Sequence, residues 1–185
     1  MSEDFRILPH DPVAEQSVLG AVFISPETMA SLADELVPDD FYKPANKIVF
    51  KTMLSLLEKG EPIDATTMVS ALTNQGDISN IGGINYVVEL VNSTPTSKNV
   101  EHYAKLVKEK ATLRKVIAEL SESLSSAYQG DISINEIIEK TEKSILDISN
   151  QNVGNGFHNV ADILDTHMQI VETRSQTDGF VTGLS

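Results

Sequence analysis

Between residues 103 and 148 the chain carries apolar side chains at a spacing that only helices make contiguous. Tyr103, Leu106, Lys110, Leu113, Ile117, Leu120, Leu124 and Ala127 fall alternately three and four residues apart. That is a heptad seam, interrupted only by Lys110. A polar residue on such a seam costs stability and sets register or partner choice. After Gly130 and Asp131, a second stripe of Ile134, Ile138, Thr141, Ile145 and Ile148 follows the same period. The stripes face each other only if the chain folds back, which predicts a long helix, a tight turn and a shorter antiparallel helix. Ser133-Ile134-Asn135-Glu136 has the form of a capping box, which fixes the start of the second helix and sets the turn at 128–132. Two helices cannot hide both apolar faces from water. The hairpin therefore requires a partner: the rest of the chain, a second copy or another protein.

The preceding hundred residues read as short helices punctuated by Pro and Gly. Asp11-Pro12 is a cap followed by proline at the first helical position, and the helix continues through Val13, Ala14, Val18, Ala21 and Val22. Ser25-Pro26 repeats that signal before Met29, Leu32, Ala33 and Leu36, and Pro38 ends the second helix. Phe41 and Tyr42, in the loop at 39–44, are expected to plug the core. A third helix over 45–58 turns Ile48, Phe50, Met53, Leu54 and Leu57 inward and stops at Gly60. Asp64 caps a fourth, with Met68, Val69 and Leu72 inward, which Gly76 ends. Gly82-Gly83 precedes a fifth around Tyr86, Val87, Leu90 and Val91. No segment of 1–100 alternates with period two, so the predicted fold class is all-α.

Past Ser149 the composition shifts to Asn, Gln and Gly, which predicts a flexible linker over 150–158. Asn159 can cap a last helix over 159–175, with Val160, Ile163, Leu164, His167, Met168 and Val171 on one face. A lone helix of about 15 residues is marginal in water, so this face is expected to dock outside its own domain. The last ten residues, 176–185, carry no terminating signal and read as an interrupted chain.

Net charge decides against one large class of function. The chain carries −13 at neutral pH, with six basic against fourteen acidic residues in 1–100. Affinity for phosphate backbones comes from clustered Lys and Arg, which disfavours direct nucleic-acid binding by these residues. The absence of cysteine rules out disulfides and fits a cytoplasmic protein. No run approaches the ~20 apolar residues of a membrane span, and the first residues do not resemble a secretory signal.

A search for chemistry returns no site. His10, His102, His158 and His167 are scattered, and none pairs with a second ligand at helical spacing. His10-Asp11 and Glu101-His102 read as surface or cap residues. The dipeptide Gly-Lys does not occur, so no GxxxxGK[ST] phosphate loop is present, and there is no GxSxG elbow. No catalytic, cofactor-binding or metal-binding residue is assigned. By residue chemistry the chain is a binding or assembly module, with a carboxylate-based enzyme as a formal competitor.

The segment Pro9-His10-Asp11-Pro12-Val13-Ala14-Glu15-Gln16-Ser17-Val18-Leu19-Gly20-Ala21 resembles the opening of bacterial DnaB-type replicative helicases, whose pattern there is P-x-x-x-x-A-E-x-x-V-L-G. Asp40-Phe41-Tyr42, Ile48-Val49-Phe50, Gly82-Gly83-Ile84-Asn85-Tyr86, Tyr103-Ala104-Lys105 and Leu113-Arg114 continue the resemblance in order. At Asn46 that family often has His, so no imidazole role there carries over. The resemblance implies a helical globule over 1–98 and a helical hairpin over 99–149, together one collar domain above a hexameric ring of ATPase domains. It further implies that paired hairpins join subunits in a trimer of dimers, and that the collar docks primase and, in some lineages, a helicase loader. Tyr103, Leu106, Lys110, Leu113, Ile117, Leu120, Leu124, Ile138 and Ile145 are then candidates for the hairpin or dimer interface. The helix at 159–175 would pack on a neighbour's motor domain, and 176–185 would begin that domain. ATP and Mg²⁺ would belong to the motor, as would DNA unwinding in the 5′ to 3′ direction.

The competing expectation is a free-standing helical adaptor, of phage type, that acts on another helicase without activity of its own. A GxxxxGK[ST] sequence in the reading frame within a few dozen residues beyond Ser185 favours the first reading; a stop codon favours the second.

Overall fold

Asp11 and Pro12 start the first helix as their chemistry dictates. The Asp11 carboxylate accepts the Ala14 N–H at 3.0 Å, and Pro12 occupies a position whose missing N–H costs nothing. This helix, α1 (Pro12–Ile24), is buried along most of its length, from Ala14 to Val22. A helix that is apolar all round belongs inside, and α1 packs against four other helices. A computed structural model describes residues 7–93, 96–130 and 132–153. Among them there are helices α1 to α7 and one 3-10 turn, with no strand, so the fold class is all-α.

α2 spans Thr28–Glu35, α3 Pro44–Lys59, α4 Ala65–Gln75 and α5 Ile84–Ser93; a 3-10 turn covers Pro38–Asp40. The long α6 runs over Val100–Gln129 and α7 over Ile134–Val153. Asp64 caps α4 through the N–H groups of Thr66 and Thr67, and Gly60 ends α3 in the left-handed region at φ 67°. Val18, Leu19, Met29, Leu32, Leu36, Phe41, Phe50, Met53, Met68, Leu72 and Leu90 fill one core without exposure to water.

Several local expectations are corrected. Ser25-Pro26 does not cap α2: Ser25 closes α1, its N–H bonding the Ala21 carbonyl, and α2 starts at Thr28. Two backbone turns already satisfy the groups that a cap would serve. Phe41 is a core plug, 4.9 Å from the Phe50 ring, but Tyr42 is partly exposed and stacks on His10 at 4.2 Å. The inner face of α3 is rotated from the expected one, so Val49 and Leu56 are buried and Leu57 faces water. Helix α7 continues through Val153, past the expected start of the linker at 150. The expected helix at 159–175, and 176–185 after it, lie outside the described residues.

A buried polar link ties α1 to α3 and α5. Glu15 accepts the backbone N–H of Tyr42 at 2.6 Å and of Lys43 at 3.3 Å, and the Asn46 side-chain amide at 2.8 Å. Lys43 gives α3 no side-chain cap, so a carboxylate from another helix takes that place, where the positive end of the helix dipole favours an anion. The Asn46 carbonyl oxygen in turn accepts the Tyr86 hydroxyl, and the Lys43 ammonium sits 4.0 Å from the Tyr86 ring centre.

Candidate assembly surface

Helix α6 packs on the globule and on α7 with different faces, and leaves a third face exposed. Its first half buries Val100, Ala104, Val107 and Ala111 against the globule. These side chains are small, so α6 approaches closely and brings Tyr103 and Leu106 against the edge of the same core. Both were expected on the hairpin seam; tertiary packing on the globule takes them instead. Lys110 stands next along the seam, with its ammonium 3.9 Å from the neighbouring Glu109.

The second half of α6 packs on α7 through a stripe of small polar and aliphatic residues. Val116, Glu119, Ser123 and Ser126 are half-buried there, opposite Ile137, Thr141, Ser144 and Ile148. Ser123 and Thr141 share a hydroxyl–hydroxyl hydrogen bond of 2.8 Å. Lys140 reaches Glu122 at 2.6 Å. The expectation that the two apolar stripes face each other inside the hairpin is met only by Thr141 and Ile148 of the second stripe. The Leu and Ile residues of the α6 seam, with Ile138 and Ile145, are left outside. Leu113, Ile117, Leu120 and Leu124 on α6 are exposed by 39 to 58%, and Ile138 and Ile145 on α7 by 50 and 36%.

Helix geometry puts both outer stripes on one side. At about 100° per residue, the outer stripe of α6 lies roughly 110° round from its inner stripe. On α7, Ile134, Ile138 and Ile145 lie roughly 70° round from theirs in the same sense. Because the helices run antiparallel, those two rotations point the same way in space. Leu113, Ile117, Leu120, Leu124, Ile138 and Ile145 thus form one broad apolar face. Tyr128 and Ile134 extend it to the tip, exposed by 84 and 72%. Their apolar character next to the turn was the available sequence signal.

Charged groups hold the frame behind this face. The capping box forms as expected: Glu136 accepts the Ser133 N–H at 3.0 Å, and the Ser133 hydroxyl accepts the Glu136 N–H at 3.3 Å. The Ser133 backbone N–H and then its hydroxyl hold the Glu136 carboxyl below the ordinary value. The hydrogen bond from Lys140 and its charge lower Glu122, and the same contact raises Lys140.

Asp40, absent from the sequence-derived candidates, joins this hairpin to the globule. Its carboxylate is fully buried, with the Lys108 ammonium at 2.8 Å and that of Lys115 at 3.8 Å. It also accepts the Val37 N–H at 3.0 Å. The Arg114 guanidinium donates to the carbonyl oxygens of Asp40 and Pro9 and lies 5.7 Å from the Tyr42 ring centre. The recurring segments around Pro9, Glu15, Asp40-Phe41-Tyr42 and Leu113-Arg114 therefore meet at one junction.

No group of three or more potential metal ligands occurs among the described residues. None of the described helices is long and apolar enough to cross a membrane. The family description "DnaB-like helicase N terminal domain" matches residues 7–109. The chain belongs to this family. As a DnaB-family domain it is 35% identical over 186 residues to the replicative DNA helicase DnaB of Geobacillus stearothermophilus, an alignment covering 100% of this chain and 41% of that protein. It is 33% identical over 179 residues to the replicative DNA helicase DnaC of Bacillus subtilis (strain 168), covering 97% of this chain and 39% of the relative. The chain thus spans about two-fifths of the length of these curated relatives.

Solved structures agree on the fold. The N-terminal domain of DnaB helicase from Mycobacterium tuberculosis superposes with a TM-score of 0.72 at 35% identity, over 76% of this chain and 99% of that one. A DnaB-like replicative helicase described with its interactions with primase gives a TM-score of 0.63 at 20% identity, over 95% of this chain and 37% of that one. At that identity the likeness concerns the fold alone.

Proposed function

We propose that this DnaB-family domain is the collar of a replicative helicase, and that it joins subunits through the apolar face of its hairpin. The observation that carries this is the continuity of that face across α6 and α7. Leu113, Ile117, Leu120, Leu124, Ile138 and Ile145 lie together on one side, where a lone chain leaves them in water. Contiguous apolar patches of more than a few hundred Å² mark interaction sites in soluble proteins. A second hairpin, carrying the same face, is the self-complementary occupant that a two-fold contact requires. Dimers made this way would associate further, as a trimer of dimers, into a hexamer.

The collar would dock primase and, in some lineages, a helicase loader, and the protein would be cytoplasmic; family membership supports this reading. The parent protein would unwind DNA 5′ to 3′ using ATP and Mg²⁺ bound in its motor domain. These 185 residues contain no phosphate loop, and DNA would be gripped only by the complete ring. Val160, Ile163, Leu164, His167, Met168 and Val171 would dock on a neighbouring subunit's motor domain.

Sedimentation velocity across micromolar concentrations tests the assembly. Dimers or larger closed species are expected. A strictly monomeric chain over that whole range would overturn it.

A further inference from the structure

The junction at Asp40 has a geometry beyond simple anchoring. Val100, Ala104, Val107 and Ala111 lie along one narrow line of α6, within roughly 30° of a common direction at about 100° per residue. Small side chains along a line resist separation but offer little resistance to rolling about that line, and Tyr103 and Leu106 brace it on the Arg114 side only. The cations sit on either side of it. Lys108 and Lys115 lie roughly 60° to one side and Arg114 roughly 50° to the other. Both edges are hooked to one residue: the lysines to the Asp40 carboxylate, and the guanidinium to the Asp40 backbone carbonyl. Asp40 straddles the helix.

Asp40 is itself held from below. Its carboxylate accepts the Val37 N–H, and two residues further on Glu15 accepts the Tyr42 N–H at 2.6 Å. Phe41, between them, is fully buried against Phe50. Past Lys115 the polar contacts that α6 makes with other described helices go to α7, through Ser123 and Glu122. Among the described residues, Lys108, Arg114 and Lys115 are therefore the outermost polar ties between globule and hairpin.

We infer that Asp40 is the positioning residue that fixes the rotation of the hairpin about the long axis of α6, relative to the globule. It thereby fixes how the apolar face is presented to a second copy. The part concerning the second copy rests on the collar reading above; the part concerning rotation does not. Replacing the carboxylate by an amide removes the attraction on one edge while keeping the side chain's shape. The hairpin then rocks about the Val100–Ala111 line while its two helices stay paired.

Because the chain contains no cysteine, nitroxide labels can be placed cleanly. Lys59→Cys on the globule and Lys143→Cys on α7, away from the α6 axis, are both at exposed positions. Pulsed dipolar spectroscopy on the full chain, diluted with unlabelled protein, reads the distance within one molecule. A pair at Ser125→Cys and Lys143→Cys reports the hairpin alone. A single narrow globule-to-hairpin distribution is expected for the parent chain. In Asp40→Asn its width should at least double, with the within-hairpin distance and the helical circular dichroism unchanged. Arg114→Lys keeps the charge but loses the fork to two carbonyls; it should broaden the distribution too, and it decides the matter if Asp40→Asn does not fold. Unchanged widths in the folded variants would overturn the inference. A monomeric parent chain would remove the collar reading and leave these intramolecular distances as informative as before.

Discussion

Glu15 and Asn46, thirty-one residues apart, meet in the interior at 2.8 Å, carboxylate to side-chain amide. The same carboxylate takes two backbone N–H groups at the start of α3, so one side chain of α1 closes the helix that packs beside it. Glu15→Ala strands three buried or half-buried donors. Each unsatisfied donor costs on the order of 1–3 kcal/mol with partial relief by water, so we expect a loss of about 3 kcal/mol. For a chain of this size that lowers the melting temperature by roughly 10 °C, readable by calorimetry. A change within error would show that the network contributes nothing net.

Gly60 allows a cleaner measurement. A Cβ built there meets nothing within 4 Å, so Gly60→Ala tests backbone conformation alone, at φ 67°. The left-handed region costs a non-glycine residue roughly 1–2 kcal/mol, and about 1 kcal/mol of destabilisation is expected in denaturant melts. The helical signal before melting should not change.

Acid should weaken the hairpin. Glu136 and Glu122 both titrate below their ordinary value of 4.5, the first through the Ser133 N–H and the second through Lys140. A carboxyl lowered by folding stabilises the fold above its unfolded value and loses that stabilisation as pH falls through its folded value. The protection of α7 amides, taken relative to the intrinsic exchange rate at each pH, should thus be steady from pH 7 to near 4.5 and fall below it. Glu136→Gln should give an α7 that is less protected at neutral pH and flatter with acid. An unaltered acid profile in that variant would disprove the linkage. Lys140 works in the opposite sense: its raised value stabilises below the ordinary 10.5 and is lost in stronger alkali.

Leu120→Asp separates assembly from folding. Leu120 is 49% exposed within its own chain, so a charge there leaves the single chain intact. Sedimentation should show a shift toward smaller species with unchanged helical content, whereas the adjacent and exposed Ser121→Asp should leave the species unchanged. Equal behaviour of the two variants would place the contact elsewhere.

Local chemistry was legible in the sequence because it is settled within a few residues. Asp11-Pro12, Asp64, Ser133 to Glu136 and the terminating Gly60 and Gly76 each act on the backbone beside them. The orientation of α6 was not legible. Its buried face consists of Val and Ala, and its contact with α7 of Val116, Glu119, Ser123 and Ser126, so neither stands out against the bulkier seam of Leu113, Ile117, Leu120 and Leu124. Hydropathy identifies the stickiest stripe; it does not say whether that stripe is used inside the chain or outside it. Asp40 was invisible for another reason. An acid in a loop reads as solvated until Lys108, sixty-eight residues later, is brought to 2.8 Å.

Helix α7 stands off the α6 axis by about 9 Å, the usual spacing of packed helices. A roll of α6 by about 10° swings α7 and the apolar face through about 1.6 Å, more than the tolerance of an interface packed at interior density. Sub-ångström play around a single carboxylate is thereby magnified into the difference between a surface that meshes with its neighbour and one that misses.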